Sequence, residues 1–185
     1  MRIYTKKGDT GETGLLFGGR VSKSDLRCEA YGNADTAVSA MGLGRSLCKN
    51  PRVKEILLEI QRSMFTVGAE LATDQSEYKH LKINFSVVTS EMVDRLEFLI
   101  DEIDAQINLP RSFIVPGSSA GSGAVDMARS LLRTAERNVV SLHEKGKLLN
   151  IEVLRYLNRL SDLLFMLARL EDKDIPFELT TGETE

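Results

Sequence analysis

The chain has 185 residues, 42% of them hydrophobic and 28% charged, and a formal net charge of −3. That length suits one domain with a real core, and the slight negative charge supplies no basic face for nucleic acid. No run of about 18 apolar residues could span a membrane, the segment Met1–Lys7 lacks the apolar core of a secretion signal, and Cys28 and Cys48 read as incidental thiols of a reducing compartment, so a cytoplasmic protein is expected.

Residues 1–25 are rich in Gly, Thr, Lys and Asp, and carry Gly8, Gly11, Gly14, Gly18 and Gly19. This composition predicts a loop with at most a short strand or hairpin. From Gly14 to Gly19 the glycines have the spacing of a Walker A loop, but the Lys and Ser/Thr that hold phosphate and magnesium are absent. Backbone N–H groups of a glycine-rich segment can still cradle phosphate, and turns at a flexible start explain the same composition.

Helical patterns follow. A first helix is predicted over 33–48, with Ala34, Val38, Met41 and Leu43 as apolar members. Asn50 caps a second, with Pro51 in its first turn, running to about Ala72. Residues 74–88 read as a polar connection, and Thr89 or Ser90 caps a third helix carrying Met92, Val93, Leu96, Leu99, Ile100 and Ile103. A loop from Asn108 to Gly123 precedes a fourth helix over about 120–144. Gly146 ends that helix, and a leucine-rich fifth covers about 150–171. The expected fold is all-α, a five-helix bundle behind a glycine-rich N-terminal loop segment. One domain is expected over 1–185, divided into the loop (1–25), the bundle (26–172) and a poorly ordered polar tail (173–185).

On the fourth helix, Arg129, Arg133, Glu136 and Arg137 fall within an arc of about 100°, beside an apolar side of Met127, Ala128, Leu131, Leu132, Ala135, Val139 and Leu142. Three guanidiniums around one carboxylate are over-supplied with positive charge, which suits a polyphosphate. A solvated face laced with i,i+3 and i,i+4 ion pairs has the same spacing. Asp35 suits the first turn of a helix through its dipole, or pairs with an arginine of the fourth helix. Asn158 is mildly unfavourable inside a helix, so a hydrogen-bonding task or simple exposure accounts for it. Metal ligation is not expected: the one Glu-x-x-His spacing, Glu77 to His80, lacks the second motif that di-iron bundles need.

Several segments recur in a fixed order. They are Tyr4-Thr-Lys-Lys-Gly8-Asp9-Thr-Gly11-Glu-Thr13-Gly14, Val21-Ser-Lys23-Ser-Asp25, Glu29-Ala-Tyr31-Gly32-Asn-Ala-Asp35, Phe113-Ile-Val-Pro116-Gly117, Ala128 to Arg137, and Tyr156-Leu-Asn158-Arg159-Leu-Ser161-Asp162-Leu-Leu-Phe165. Together they resemble the PduO-type ATP:cob(I)alamin adenosyltransferase family, from residue 3 to about 170. The resemblance implies transfer of the 5′-deoxyadenosyl group of ATP, accompanied by Mg²⁺, to cob(I)alamin, giving adenosylcobalamin and triphosphate. It implies a homotrimer with intersubunit active sites, served by a flavoprotein reductase and serving an adenosylcobalamin-dependent enzyme. A carrier or sensor of the same fold with little turnover is the alternative.

By position, Thr5, Lys6, Lys7, Gly8, Thr13, Gly14 and Lys23 match the family's N-terminal ATP-binding segment. Arg133, Thr134, Ala135, Glu136 and Arg137 match the helix segment that grips the nucleotide, with Asn158 from the last helix. Asp35 and Arg129 match an intersubunit salt bridge, and Phe113 the aromatic against the lower face of the corrin. The chain departs from the family pattern where Val-Asp-Glu-Leu-Asn becomes Ala34-Asp35-Thr36-Ala37-Val38. A second cation of an arginine pair is replaced by Thr134, and Asp126-Met127 stands where Leu-His is frequent.

Overall fold

The computed structural model describes residues 3–180. The glycine-rich start folds into a hairpin, β1 (Glu12–Gly14) antiparallel to β2 (Arg20–Ser22), with Thr13 opposite Val21. Its turn runs through Phe17 (φ 67°), Gly18 (φ 109°) and Gly19 (φ 76°). Glycine takes these left-handed conformations without the steric cost that Phe17 carries. Leu16 N–H donates to the Ala72 carbonyl at 2.9 Å, which ties the hairpin to the end of the second helix.

Helix α1 spans Leu26–Leu47, starting seven residues before the position expected. The Asp25 carboxylate caps it by accepting from Arg27 N–H at 2.8 Å. Gly32 and the polar residues around it obscure this first part in the sequence, yet Arg27, Cys28 and Ala30 are all buried. Helix α2 (Pro51–Leu71) begins as predicted, with Asn50 Oδ1 accepting from Arg52 N–H at 2.9 Å. The connection to α4 is not featureless: a 3₁₀ turn at Gln75–Glu77 leads into a short helix, α3 (Tyr78–Asn84), seated on the single buried residue Leu81. One apolar anchor gives too little periodicity to read. Among the described residues the all-α bundle thus has the five expected long helices and this short additional one.

Helix α4 (Ser90–Asp104) starts after Thr89, whose side chain makes no capping bond. Helix α5 (Ala120–Glu144) opens on a reciprocal capping box between Ser119 and Ser122. Helix α6 spans Ile151–Glu171, capped by Asn150. The tail is not wholly irregular. Leu179 is buried and bridges antiparallel to Ile114, with Val115 N–H donating to Glu178 at 2.7 Å and Thr180 N–H to Phe113 at 3.0 Å. Residues 181–185 lie outside the described residues.

The most extensive helix pairing is α1 with α5, followed by α5 with α6, while α2 packs on α1 and α4 on α6. Small residues make the first seam. Ala30, Ala34 and Ala37 of α1 and Ala128 and Ala135 of α5 are buried in one core cluster. A Cβ at Gly44 would stand 3.0 Å from Val125 Cγ2, and one at Gly121 only 2.9 Å from Cys48 Cα. The end of α1 therefore lies against the start of α5, and the two run antiparallel. Val38 is only partly buried, and Leu43 and Met127 are exposed, so the expected apolar stripes are slightly rotated from the observed ones.

At the hairpin end, buried Glu70 joins three elements. It accepts from Val88 N–H, from Tyr78 Oη at 2.9 Å and from Asn150 Nδ2 at 3.1 Å. Glu70→Ala leaves these donors without their acceptor and is expected to cost about 3 kcal/mol, read as a lowered urea midpoint with an unchanged slope.

Candidate functional site

The N-terminal candidates gather around the hairpin. Lys6 takes a left-handed φ of 59°, and the Lys7 carbonyl accepts from Arg20 Nη2 at 2.6 Å. Arg20 also donates to Glu12 through Nε at 3.1 Å. Lys23 N–H donates to the Gly11 carbonyl at 2.9 Å. Its ammonium lies 3.1 Å from where a Gly8 Cβ would sit, so the cation packs close to the Gly8 backbone. Thr5, Lys6, Lys7, Gly14 and Lys23 are exposed, and Gly8 and Thr13 are partly so. This is a cationic corner with backbone open to solvent, a chemistry that suits phosphate oxygens.

Beside it a cleft of about 670 Å³ opens between α1 and α2, lined by Gly14, Leu15, Tyr31, Asp35, Phe65 and Phe85 among others. Its walls are mostly apolar, and Asp35 stands exposed along it. The Tyr31 hydroxyl donates to Cys28 Sγ at 3.1 Å. Burial, and then the Cys28 contact, push its ionisation up to about 12. The sequence singled out Asp35 here but not Tyr31, Phe65 or Phe85, which carry no polar spacing signal.

A second group forms on α5 and α6. Asn158 Nδ2 donates to Glu136 Oε1 at 3.0 Å, and Arg137 Nη2 donates to Thr134 Oγ1 at 2.9 Å. Arg133 is exposed and pairs with no carboxylate among the described residues. The helical arc predicted for these side chains is thus present, with Glu136 turned to Asn158 and away from the arginines. Ala135 is fully buried in the core, which bars its side chain from a ligand.

Arg129 has its in-chain partner in Asp126, at 3.1 Å, and no bond joins it to Asp35 within one chain. Asp126 also accepts from buried Arg169. Asp126 stands out in the sequence only as a departure from the family pattern, and its pairing with Arg169 is not expected there, although Arg169 sits in the apolar run Leu163 to Leu170, where a cation needs a counter-charge. Phe113 is 84% exposed, on the loop before α5 that Glu178–Thr180 hold by backbone pairing. Phe113 belongs to the end of the bundle where α1 stops, whereas the hairpin precedes the start of α1. The candidates fall into three groups along the chain: the hairpin, the α5–α6 pair and the loop of Phe113. Among the described residues no three His, Cys, Asp or Glu side chains gather, and His80 simply pairs with Glu77 at 2.6 Å.

Comparison with known proteins bears on the family and the fold. The family model for cobalamin adenosyltransferase matches residues 3–171. A corrinoid adenosyltransferase of Citrobacter freundii is 38% identical over 173 residues, spanning 92% of this chain and 95% of that protein. A second from that organism, the corrinoid adenosyltransferase PduO, is 41% identical over 174 residues, covering 94% of this chain but 51% of the relative, so the chain spans about half of that protein's length. Among solved structures, a phenylalanine-to-histidine variant of the PduO-type ATP:corrinoid adenosyltransferase of Lactobacillus reuteri, complexed with cobalamin and ATP, superposes with a TM-score of 0.89. It is 31% identical, over 100% of this chain and 98% of that one. The chain belongs to the cobalamin adenosyltransferase family.

The phenols provide a check on the hairpin and core geometry. Tyr31 and buried Tyr156 are both pushed up to about 12 from an ordinary 10, mainly by burial. A raised phenol holds its proton in the folded state while the unfolded chain loses it. Its contribution is complete below pH 10 and disappears as pH rises through about 12. Urea midpoints should therefore fall between those limits, and Tyr31→Phe should flatten the decline.

Proposed function

We propose that the chain is an ATP:cob(I)alamin adenosyltransferase, a transferase that moves the 5′-deoxyadenosyl group of ATP to the corrinoid and releases triphosphate. The observation that carries this reading is the α5–α6 group, where exposed Arg133 and Arg137 flank a Glu136–Asn158 hydrogen bond. Two cations without carboxylate partners among the described residues, on a two-helix platform, match a leaving triphosphate. The cationic hairpin corner supplies further phosphate contacts through Lys23, Lys6, Lys7 and the backbone around Gly8 and Gly14.

The chemistry asks little else of the protein. Cob(I)alamin supplies the nucleophile when bound: a cobalt–carbon bond forms as the 5′ carbon–oxygen bond of ATP breaks, and the electron pair leaves with triphosphate. No general base is needed, which suits a chain with two histidines and two buried cysteines. The side chains must orient the nucleotide and stabilise the leaving group. Magnesium would travel on the triphosphate oxygens, since no cluster of protein ligands among the described residues is built to cage it. Phe113, exposed and held through its backbone, would present an apolar ring to the corrin and exclude water from its lower face.

The assembly is part of the same proposal. In one chain the hairpin corner precedes α1, whereas Phe113 lies at the end of the bundle where α1 stops. A homotrimer would join them between subunits, with Asp35 of one copy meeting Arg129 of another. The N-terminal segment 1–25 and the bundle would then act as one adenosyltransferase domain, supplied with electrons by a flavoprotein reductase and delivering product to an adenosylcobalamin-dependent enzyme.

An anaerobic absorbance assay with ATP, magnesium and chemically reduced cob(I)alamin tests the reading. Conversion to adenosylcobalamin with one triphosphate per turnover is expected; ATP binding without conversion would make the chain a carrier or sensor. Arg133→Ala should weaken ATP binding by about 2 kcal/mol, measured by calorimetry. Phe113→Ala should depress the reaction that starts from cob(II)alamin much more than the reaction of pre-reduced cob(I)alamin, and equal losses would remove Phe113 from the corrin side.

A further inference from the structure

Asp126 is a buried carboxylate held between two guanidiniums. Its Oδ1 accepts from Arg129 Nε at 3.1 Å and its Oδ2 from Arg169 Nη2. Asp126 and Arg169 are 4% and 2% exposed, whereas the Arg129 side chain retains 26%. The Arg169 guanidinium also lies 5.2 Å from the centroid of the Phe165 ring, and its buried Nε has no acceptor. Asp126 is thus the only carboxylate paired with this buried cation among the described residues.

The arrangement is directional. One carboxylate between two arginines leaves a net charge of +1, and the excess lies at the solvent end, on Arg129. Asp126 engages the Nε edge of Arg129. The two terminal amino groups on the other side of the guanidinium hydrogen-bond to nothing among the described residues. A guanidinium anchored through Nε offers those groups as a fork, the geometry that binds a carboxylate in parallel. The anchor removes side-chain freedom in advance, so less entropy is lost when the anion arrives.

We infer that Asp126 is a positioning residue for adenosyl transfer: with Arg169 as buried counter-charge, it orients Arg129 so that the free fork meets Asp35 of a neighbouring subunit. This rests on the proposed activity and on the intersubunit site. It also gives Asp126, a point where the chain departs from the family pattern, a task of its own.

Asp126→Asn alone leaves Arg169 buried without a counter-ion, so its effect would mix folding with function. The decisive variant combines Asp126→Asn with Arg169→Met, removing both buried charges while keeping similar volume. This double variant should retain a cooperative thermal transition and lose about 10²-fold in kcat with cob(I)alamin and ATP. Placed on Arg129→Ala, the same two substitutions should cause no further loss. Wild-type turnover in the folded double variant, or an equal further loss in the Arg129→Ala background, overturns the inference while the activity stands. Absence of conversion by the unaltered chain overturns the activity and the inference with it. Should the double variant fail to fold, the same cycle with Asp126→Glu decides: it keeps both ion pairs and displaces the carboxylate by one methylene. A lower kcat that vanishes as an effect in the Arg129→Ala background supports the inference, and unchanged kcat overturns it.

Discussion

Close approach of α1 and α5 is the constraint on which the rest of the structure depends. Alanines at 30, 34, 37, 128 and 135 keep the two backbones near each other, and glycines at 44 and 121 admit neighbours that a side chain would displace. Interiors pack at crystal-like density, so this seam fixes both the separation and the rotation of the helices. With Ala135 in the core, Arg133 and Arg137 are exposed beside it and Glu136 turns to Asn158 of α6. With Ala34 buried, Asp35 stands exposed along the cleft between α1 and α2. The site residues are placed by the small residues between them.

The ends of the bundle are closed by polar groups. Glu70 satisfies donors from the α3 connection and the α5–α6 turn, while Arg27 donates to the carbonyls of Leu71 at 3.3 Å and Lys147 at 3.1 Å. At the other end, Glu171 accepts from the backbone N–H groups of Lys49 and Asn50 at 2.6 and 3.1 Å. Buried groups of this kind are costly when unpaired, and here they bind distant segments together. They are the reason that the hairpin and the loop carrying Phe113 sit on a rigid frame although each is itself irregular. A reaction whose nucleophile arrives with its substrate needs such a frame more than it needs titratable side chains.

Helix boundaries show how the sequence carries local information and where it stops. Asn50-Pro51 marks the start of α2 because the cap is a contact between neighbours in sequence, and the arc of Arg129, Arg133 and Arg137 follows from helical geometry alone. The early start of α1 was hidden because Arg27 is a buried cation whose partners are carbonyls 44 and 120 residues away. Helix α3 and the Leu179–Ile114 bridge are hidden for a related reason: each rests on one buried apolar residue, with a side-chain bond from Tyr78 to Glu70 in the first case and backbone pairing to a remote segment in the second.

The sequence by itself determined the helical class, the positions of the four long helices after the first, the cationic face of α5, and, through ordered motifs, the family. These depend on spacing within a few turns of chain. Only the tertiary structure decided that Glu136 belongs to Asn158, that Ala135 is sealed in the core, that Asp126 joins Arg129 to a buried Arg169, and that the loop of Phe113 lies at the end of the bundle where α1 stops. Those outcomes depend on which faces are pressed together across 22, 43 or more residues of chain, and no periodicity within a segment encodes the partner of a face.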